Sequence, residues 1–285
     1  MKLKITPTRA AIFATLLFVV SVTLALCLAF CDIRVEENKN ENDNKLPIEN
    51  DGSITTSADF TYKTDISAVA DALNTTDGYY LTLANKTYTV GEDYSPSDLI
   101  KIDNKYCADS NRTYLLSGNA YFAATALIEE MRAQGFESVS ITSAYRSYDY
   151  QLQLYNRYFN EEKAAHPDWS DEQIKAQVLT YSAYPGTSEH QTGLCIDLIT
   201  KEMAGLWNFG SETPNNPYDK GFAETAEYQW LKENAHKFGF ILRYPENKTD
   251  VTGYAYESWH YRFVGIDAAT DIYNAGITLE EYLGK

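Results

Sequence analysis

The spacing of apolar residues divides the chain into three unlike parts. From Ala10 to Phe30 the apolar run is broken by neither charge nor proline. At about 1.5 Å per helical residue it matches a hydrocarbon core about 30 Å thick. Residues 1–31 are therefore expected to form a transmembrane helix, with Lys2, Lys4 and Arg9 as its cytoplasmic flank and everything after Cys31 outside. A cleaved secretion signal is the alternative, but its apolar core is usually shorter and ends at small residues, unlike Leu28-Ala29-Phe30-Cys31. Residues 32–59 then turn polar and acidic without periodicity, which predicts a disordered spacer.

From Phe60 onward the pattern is that of a folded domain, expected over 60–285. Apolar residues recur at three and four from Asn119 to Gln134, and Gly135 supplies a helix stop. Helices are also predicted over Thr64–Leu73, Tyr148–Glu162, from Ser170 towards Ala183, and over Glu224–Phe238 ahead of Gly239. Ser170 with Gln173 and Thr278 with Glu281 have capping-box spacing, the second opening a last short helix. Strands are predicted at Tyr79–Leu83, residues 138–142, Leu194–Leu198, Phe240–Arg243 and Trp259–Val264. Helices and short strands mix without a βαβ rhythm, so the class expected is α+β, a small antiparallel sheet flanked by helices.

Composition changes this picture little. A formal net charge of −16 argues against nucleic acid as a partner, since phosphate binding needs a basic face. Of four cysteines, Cys27 and Cys31 fall in the membrane segment, leaving Cys107 and Cys195 as one disulfide or two thiols. Nothing in the chain demands a dimer, and the oligomeric state stays open.

Candidate chemistry centres on two stretches, SEHQTGLCID (188–197) and YESWHYRF (256–263). If Leu194–Leu198 is a strand, Leu194, Ile196 and Leu198 share the core face while Cys195 and Asp197 share the other. His190 would then sit on the loop before it. Glu257 and His260, three apart, serve one site only if a turn falls between them or the strand starts at Trp259. Two imidazoles and a carboxylate are a common ligand set for catalytic zinc, and Glu257 would be the free carboxylate that moves protons. The same residues also read as a hydrogen-bonded core histidine, a turn-capping aspartate and a solvated glutamate, and spacing alone leaves both readings open.

Four stretches in order carry a resemblance: SAYRSYDYQ (143–151), PGTSEHQTGLCIDL (185–198), WLKENAHKFGFILRYP (230–245) and TGYAYESWHYRFVG (252–265). Together they resemble the VanY-type carboxypeptidases, zinc peptidases that trim D-alanine from peptidoglycan stem peptides. Ser188, His190, Gly193 and Asp197 match the family's first motif, and Glu257, Trp259 and His260 its second. The resemblance spans about 80–285 and implies a zinc site in a central cleft. It implies His190, Asp197 and His260 as zinc ligands, Glu257 as general base and acid, and Arg146 as the cation at the scissile carbonyl. Ser188 is implied as a contact for the substrate's terminal carboxylate, with a turn residue as the other reading. Gln151, about one turn into the helix after Arg146, faces either the cleft or solvent. The family usually has alanine where Cys195 stands; with three ligands provided, a small buried thiol is expected, and a Cys107–Cys195 disulfide stays open. His166 and His236 match no functional position.

The activity so implied is D,D-carboxypeptidation of stem pentapeptides by a single-pass enzyme on the outer, wall side of a bacterial membrane. L,D-carboxypeptidation of tetrapeptides is the neighbouring alternative. A zinc-containing wall-binding module without turnover, or a zinc-stabilised interaction domain, is the alternative of another class.

Overall fold

The structure, a computed structural model, describes residues 60–206 and 218–285. The expected anchor (1–31) and spacer (32–59) lie outside those residues. No helix among the described residues is long and apolar enough to cross a membrane.

Four short strands make the sheet that organises the site: β3 (Val139–Ser143), β4 (Cys195–Thr200), β5 (Phe240–Leu242) and β6 (His260–Phe263). They are arranged in the order β3-β4-β6-β5, every neighbour antiparallel. A separate hairpin pairs β1 (Leu99–Lys101) with β2 (Leu115–Ser117). The expected α+β class and four of the five expected strands are present, with ends shifted by a residue or two. The exception is Tyr79–Leu83. That stretch is a 3-10 turn over Gly78–Leu81, because the Asp77 side chain accepts from the Tyr79 N–H and closes a cap before a strand can start. The helix expected over Thr64–Leu73 is shorter too, a 3-10 turn at Ser67–Val69 running into Ala70–Leu73.

Parity fixes what each face of the sheet does. Leu194 precedes β4, and it joins Ile196 and Leu198 in one core with Ala120, Ala124, Leu127, Ile128 and Met131 of the helix Gly118–Gln134. The helix residues recur at three and four, so the helix lays one stripe along the sheet. Each fully buried Leu, Ile or Met there contributes about 1.5–3 kcal/mol. The helix stops where Gly135 takes φ 107°, a conformation glycine adopts without steric cost. On the other face, Cys195 and Asp197 stand on the same side as their cross-strand partners Arg262 and His260. That face is closed over by residues 188–193, and the core therefore carries a polar layer that is also buried.

Both expected capping boxes are made. Ser170 and Gln173 open the helix Asp171–Tyr181, and Thr278 and Glu281 open Leu279–Tyr282. The helix Ile266–Ala275 was not anticipated. Among the described residues Cys107 and Cys195 are both free and buried, so the disulfide alternative does not hold.

Candidate metal centre

Asp197 and His260 are direct partners across β4 and β6. Ser143 is the β3 partner of Asp197, reached through a register shift after Ile141. One row of the sheet thus runs Ser143, Asp197, His260. The turn that lets Glu257 join this row is the i to i+3 turn at Glu257–His260, where the His260 N–H donates to the Glu257 carbonyl at 3.4 Å. The strand begins at His260 itself.

His190 arrives from above on the 3-10 turn Glu189–Thr192, with Ser188 extended at its N-terminal end. Gly193 ends that turn at φ 68°, and a Cβ there would lie 3.1 Å from Leu99 Cδ2 and 3.2 Å from Pro96 Cγ. Only glycine lets the chain turn so close to the β1–β2 hairpin. The His190 Nδ1 lies 2.6 Å from the Ala144 carbonyl, which can only accept, so Nδ1 carries the proton. Nε2, the ring nitrogen left to ligate, faces Asp197, 3.4 Å from Oδ2.

His260 presents Nδ1 to the same carboxylate, 3.0 Å from Asp197 Oδ1, with Glu257 Oε2 3.6 Å away. Its Nε2 points backwards to Glu189 Oε2 at 3.5 Å, too long and too poorly aligned for a hydrogen bond. The two imidazoles meet edge to face with centroids 5.0 Å apart. His190, Asp197 and His260 are all buried, while the side chains of Arg146 and Glu257 keep 21% and 18% of their exposure. The cluster is therefore reached from the Arg146 and Glu257 side.

The charges explain what the cluster can hold. Burial alone would raise the Asp197 carboxyl, yet His190 and His260 outweigh it and hold it well below the usual range. Burial would lower both imidazoles, but Cys195 and Asp197 reverse this and raise them. Without a metal, protons must supply the positive charge that Asp197 attracts. Asp197 Oδ1 is buried with no hydrogen-bond donor of its own. Two imidazole nitrogens and a carboxylate converging on one point fit a zinc-type dication. Glu257 is pushed up to about 7, first by burial and then by the Asp197 charge, against the pull of His260, His190 and Arg146. A bound cation would pull it back down.

Arg146 is locked beside the cluster. Its Nε donates to Ser143 Oγ at 3.0 Å, Nη1 donates to Gln151 Oε1 at 3.1 Å, and Nη2 lies 3.4 Å from Asp197 Oδ2. Gln151 is buried, and its Nε2 donates to the Ala183 carbonyl at 2.8 Å. Both ends of its amide are engaged internally, so Gln151 stands behind Arg146 rather than on a solvated helix face. Ser188 is buried at the turn without a capping bond from its side chain. Neither His166, stacked on Trp169, nor His236, stacked on Tyr273, joins the cluster.

Glu189 is the residue that sequence reasoning missed. Its Oε1 accepts from Arg243 Nε and Arg262 Nη1, each at 2.7 Å, and all three side chains are fully buried. Arg243 also donates to both oxygens of Glu280. Burial would raise Glu189, but the two guanidinium groups hold it well below the ordinary carboxylate range. Its place between Ser188 and His190 was the one available signal.

Two imidazoles and a carboxylate close enough to share an ion, with a second carboxyl beside them, are parts that a hydrolytic metal centre uses. Comparison with known proteins supplies the family. The model of the VanY family, described as D-alanyl-D-alanine carboxypeptidase, matches residues 113–266. The chain belongs to that family. A D-alanyl-D-alanine carboxypeptidase of Enterococcus faecalis is 41% identical over 157 residues, covering 55% of this chain and 51% of that one. The chain thus spans about half the length of this curated relative. The solved LdcB LD-carboxypeptidase is 34% identical with a TM-score of 0.58, over 72% of this chain and 86% of that one. A VanY D,D-pentapeptidase variant in complex with Zn(II) is 33% identical with a TM-score of 0.55, over 72% and 99%.

Proposed function

We propose that the chain is a zinc-dependent D,D-carboxypeptidase that removes the C-terminal D-alanine from peptidoglycan stem pentapeptides. The observation that carries it is the direct Asp197–His260 pairing, with His190 Nε2 turned in and Glu257 beside His260. His190 Nε2, an Asp197 oxygen and His260 Nδ1 would hold the ion. When bound, zinc supplies Lewis acidity and brings the pKa of its water towards about 7.

The remaining work belongs to side chains. Glu257 accepts a proton from the attacking water and returns it to the departing amine of D-alanine, a double role open to a carboxyl beside His260 that is not needed as a ligand. Arg146, fixed by Ser143 and Gln151, aims its guanidinium where negative charge develops on the scissile carbonyl oxygen. Ser188 offers a hydroxyl to the substrate's terminal carboxylate. No acyl-enzyme forms, so penicillin should not acylate the protein. The apolar run at 10–30 and the spacer at 32–59 support a single-pass tether with the domain on the wall side. The likeness to LdcB favours L,D-cleavage of tetrapeptides as the second reading.

One assay separates these. Zinc-loaded protein is incubated with synthetic penta- and tetrapeptide stems, and products are identified by mass. Loss of one D-alanine from the pentapeptide, abolished by Glu257→Gln, is expected. Cleavage of the tetrapeptide alone moves the assignment to L,D; cleavage of neither, with zinc bound, refutes the carboxypeptidase reading for these stems. Run on intact cells expressing the chain, the same assay reads the tether, since added peptide is cleaved only by an outward-facing domain.

A further inference from the structure

The family pattern has alanine two residues before its ligating aspartate, and this chain has Cys195. We propose that Cys195 is a fourth protein donor to the metal, so that the ion is held by two imidazoles, a carboxylate and a thiolate. This rests on the zinc reading of the same site. One donor atom from each of His190, Cys195 and His260 lies within 4.8 Å of the others. Cys195 and Asp197 occupy alternate positions of β4 and so share the face that His190 covers. Asp197 Oδ1, buried on that face, makes no hydrogen bond and has His260 Nδ1 3.0 Å away, so carboxylate, imidazoles and thiol share one buried face.

The separations bear on whether one ion can reach the two imidazoles and the thiol, with Asp197 3.4 Å from His190 and 3.0 Å from His260. With Zn–S about 2.3 Å and Zn–N about 2.0–2.1 Å, tetrahedral geometry sets sulfur and nitrogen donors about 3.5 Å apart. The three donor atoms all lie within 4.8 Å of one another, so closing on an ion needs a contraction of at most about 1 Å, within the reach of small side-chain rotations. The thiol must lose its proton to ligate, so binding releases one proton that the three-ligand site would not. A soft sulfur donor favours zinc and cobalt over magnesium and manganese. With a thiolate bound, four protein donors would hold the ion and water would have to enter as a fifth ligand.

The test uses the full chain and cobalt(II), whose spectrum reports sulfur ligation directly. The cobalt-loaded chain is expected to show near-ultraviolet sulfur-to-cobalt charge transfer. Cys195→Ala should lose it and Cys107→Ser should keep it. Alanine is the family residue here, so the first variant is expected to fold. In competition with a chelator, Cys195→Ala should bind zinc roughly tenfold or more weakly, at least the loss typical of an outer-shell ligand partner. Bound cobalt with a spectrum that superposes on that of Cys195→Ala overturns the thiolate ligand and leaves the three-ligand site standing. No metal bound by either protein overturns it together with the zinc reading.

Discussion

Replacing Glu189 by glutamine tests the buried layer behind the metal face. Glu189, Arg243, Arg262 and Glu280 form a nearly solvent-free group with two charges of each sign. Arg243 retains Glu280 without Glu189, but Arg262 falls back on the backbone carbonyls of Tyr80, Thr82 and Phe263. The variant therefore leaves one positive charge buried and uncompensated. Removing one partner of a buried pair typically costs about 3–5 kcal/mol. Against a total stability of about 5–15 kcal/mol for a typical domain, that is about a fifth of the margin or more. At about 2–4 °C per kcal/mol for a domain of this size, the melting temperature should fall by about 6–20 °C.

The assay is thermal and urea unfolding of wild type, Glu189→Gln, Arg262→Met and the double variant. Restoring charge balance should make the double variant cost less than the sum of the two singles. A second readout is zinc affinity: Glu189 Oε2 lies 3.5 Å from His260 Nε2 without hydrogen-bonding it, so affinity should fall by less than the about 10–100-fold that loss of a bonded outer-shell partner costs. A Glu189→Gln protein within 1 kcal/mol of wild type, or a strictly additive double variant, would refute the charge-balance argument.

Two further predictions follow from groups whose surroundings are equally definite. Gln151→Ala removes the acceptor of Arg146 Nη1; a hydrogen bond to a charged group contributes about 1.5–3 kcal/mol, so kcat/KM should fall about 10- to 100-fold. Zinc stoichiometry should stay unchanged, and Gln151→Leu, which fills the space without an acceptor, should lose as much activity as Gln151→Ala. His236 is buried, has no partner for Nδ1, and is lowered from 6.5 to about 4, by burial and then by Lys237. Its folded form resists protonation while the unfolded chain takes the proton up near 6.5, so stability is full above that pH and is lost as pH falls from about 6.5 to about 4. Urea midpoints of His236→Phe measured over this range should show a flatter slope than wild type, and parallel curves would count against the assignment.

Local signals were read well from the sequence, and long-range ones were not. The capping boxes at Ser170 and Thr278 need only residues three apart, and both formed. Gly239 ended its helical stretch at φ 75° for the same reason. The helix Ile266–Ala275 was missed although Ala268, Ala269 and Ile272 keep helical spacing before Gly276, a short stripe with few bulky residues to announce it. The hairpin of β1 and β2 offered only three residues per strand, too few for alternation to show.

The site divides along the same line. Motif residues carried their own geometry: parity put Cys195 and Asp197 on one face, and the turn at Glu257–His260 resolved the parity conflict. Nothing local sets Glu189, Arg243, Arg262 and Glu280 apart from the solvated charges that such residues usually are. Their burial depends on pairs 37, 54 and 73 residues apart in the chain, which no local window contains. Yet Arg262 stands two positions after His260 on β6, and Glu189 immediately precedes His190. Any strand that turns His260 towards a metal must turn Arg262 into the same interior, where a charge demands a partner. The metal site and the ion cluster behind it are thus two consequences of one strand register. A substitution that slips β6 by a single residue would destroy both together.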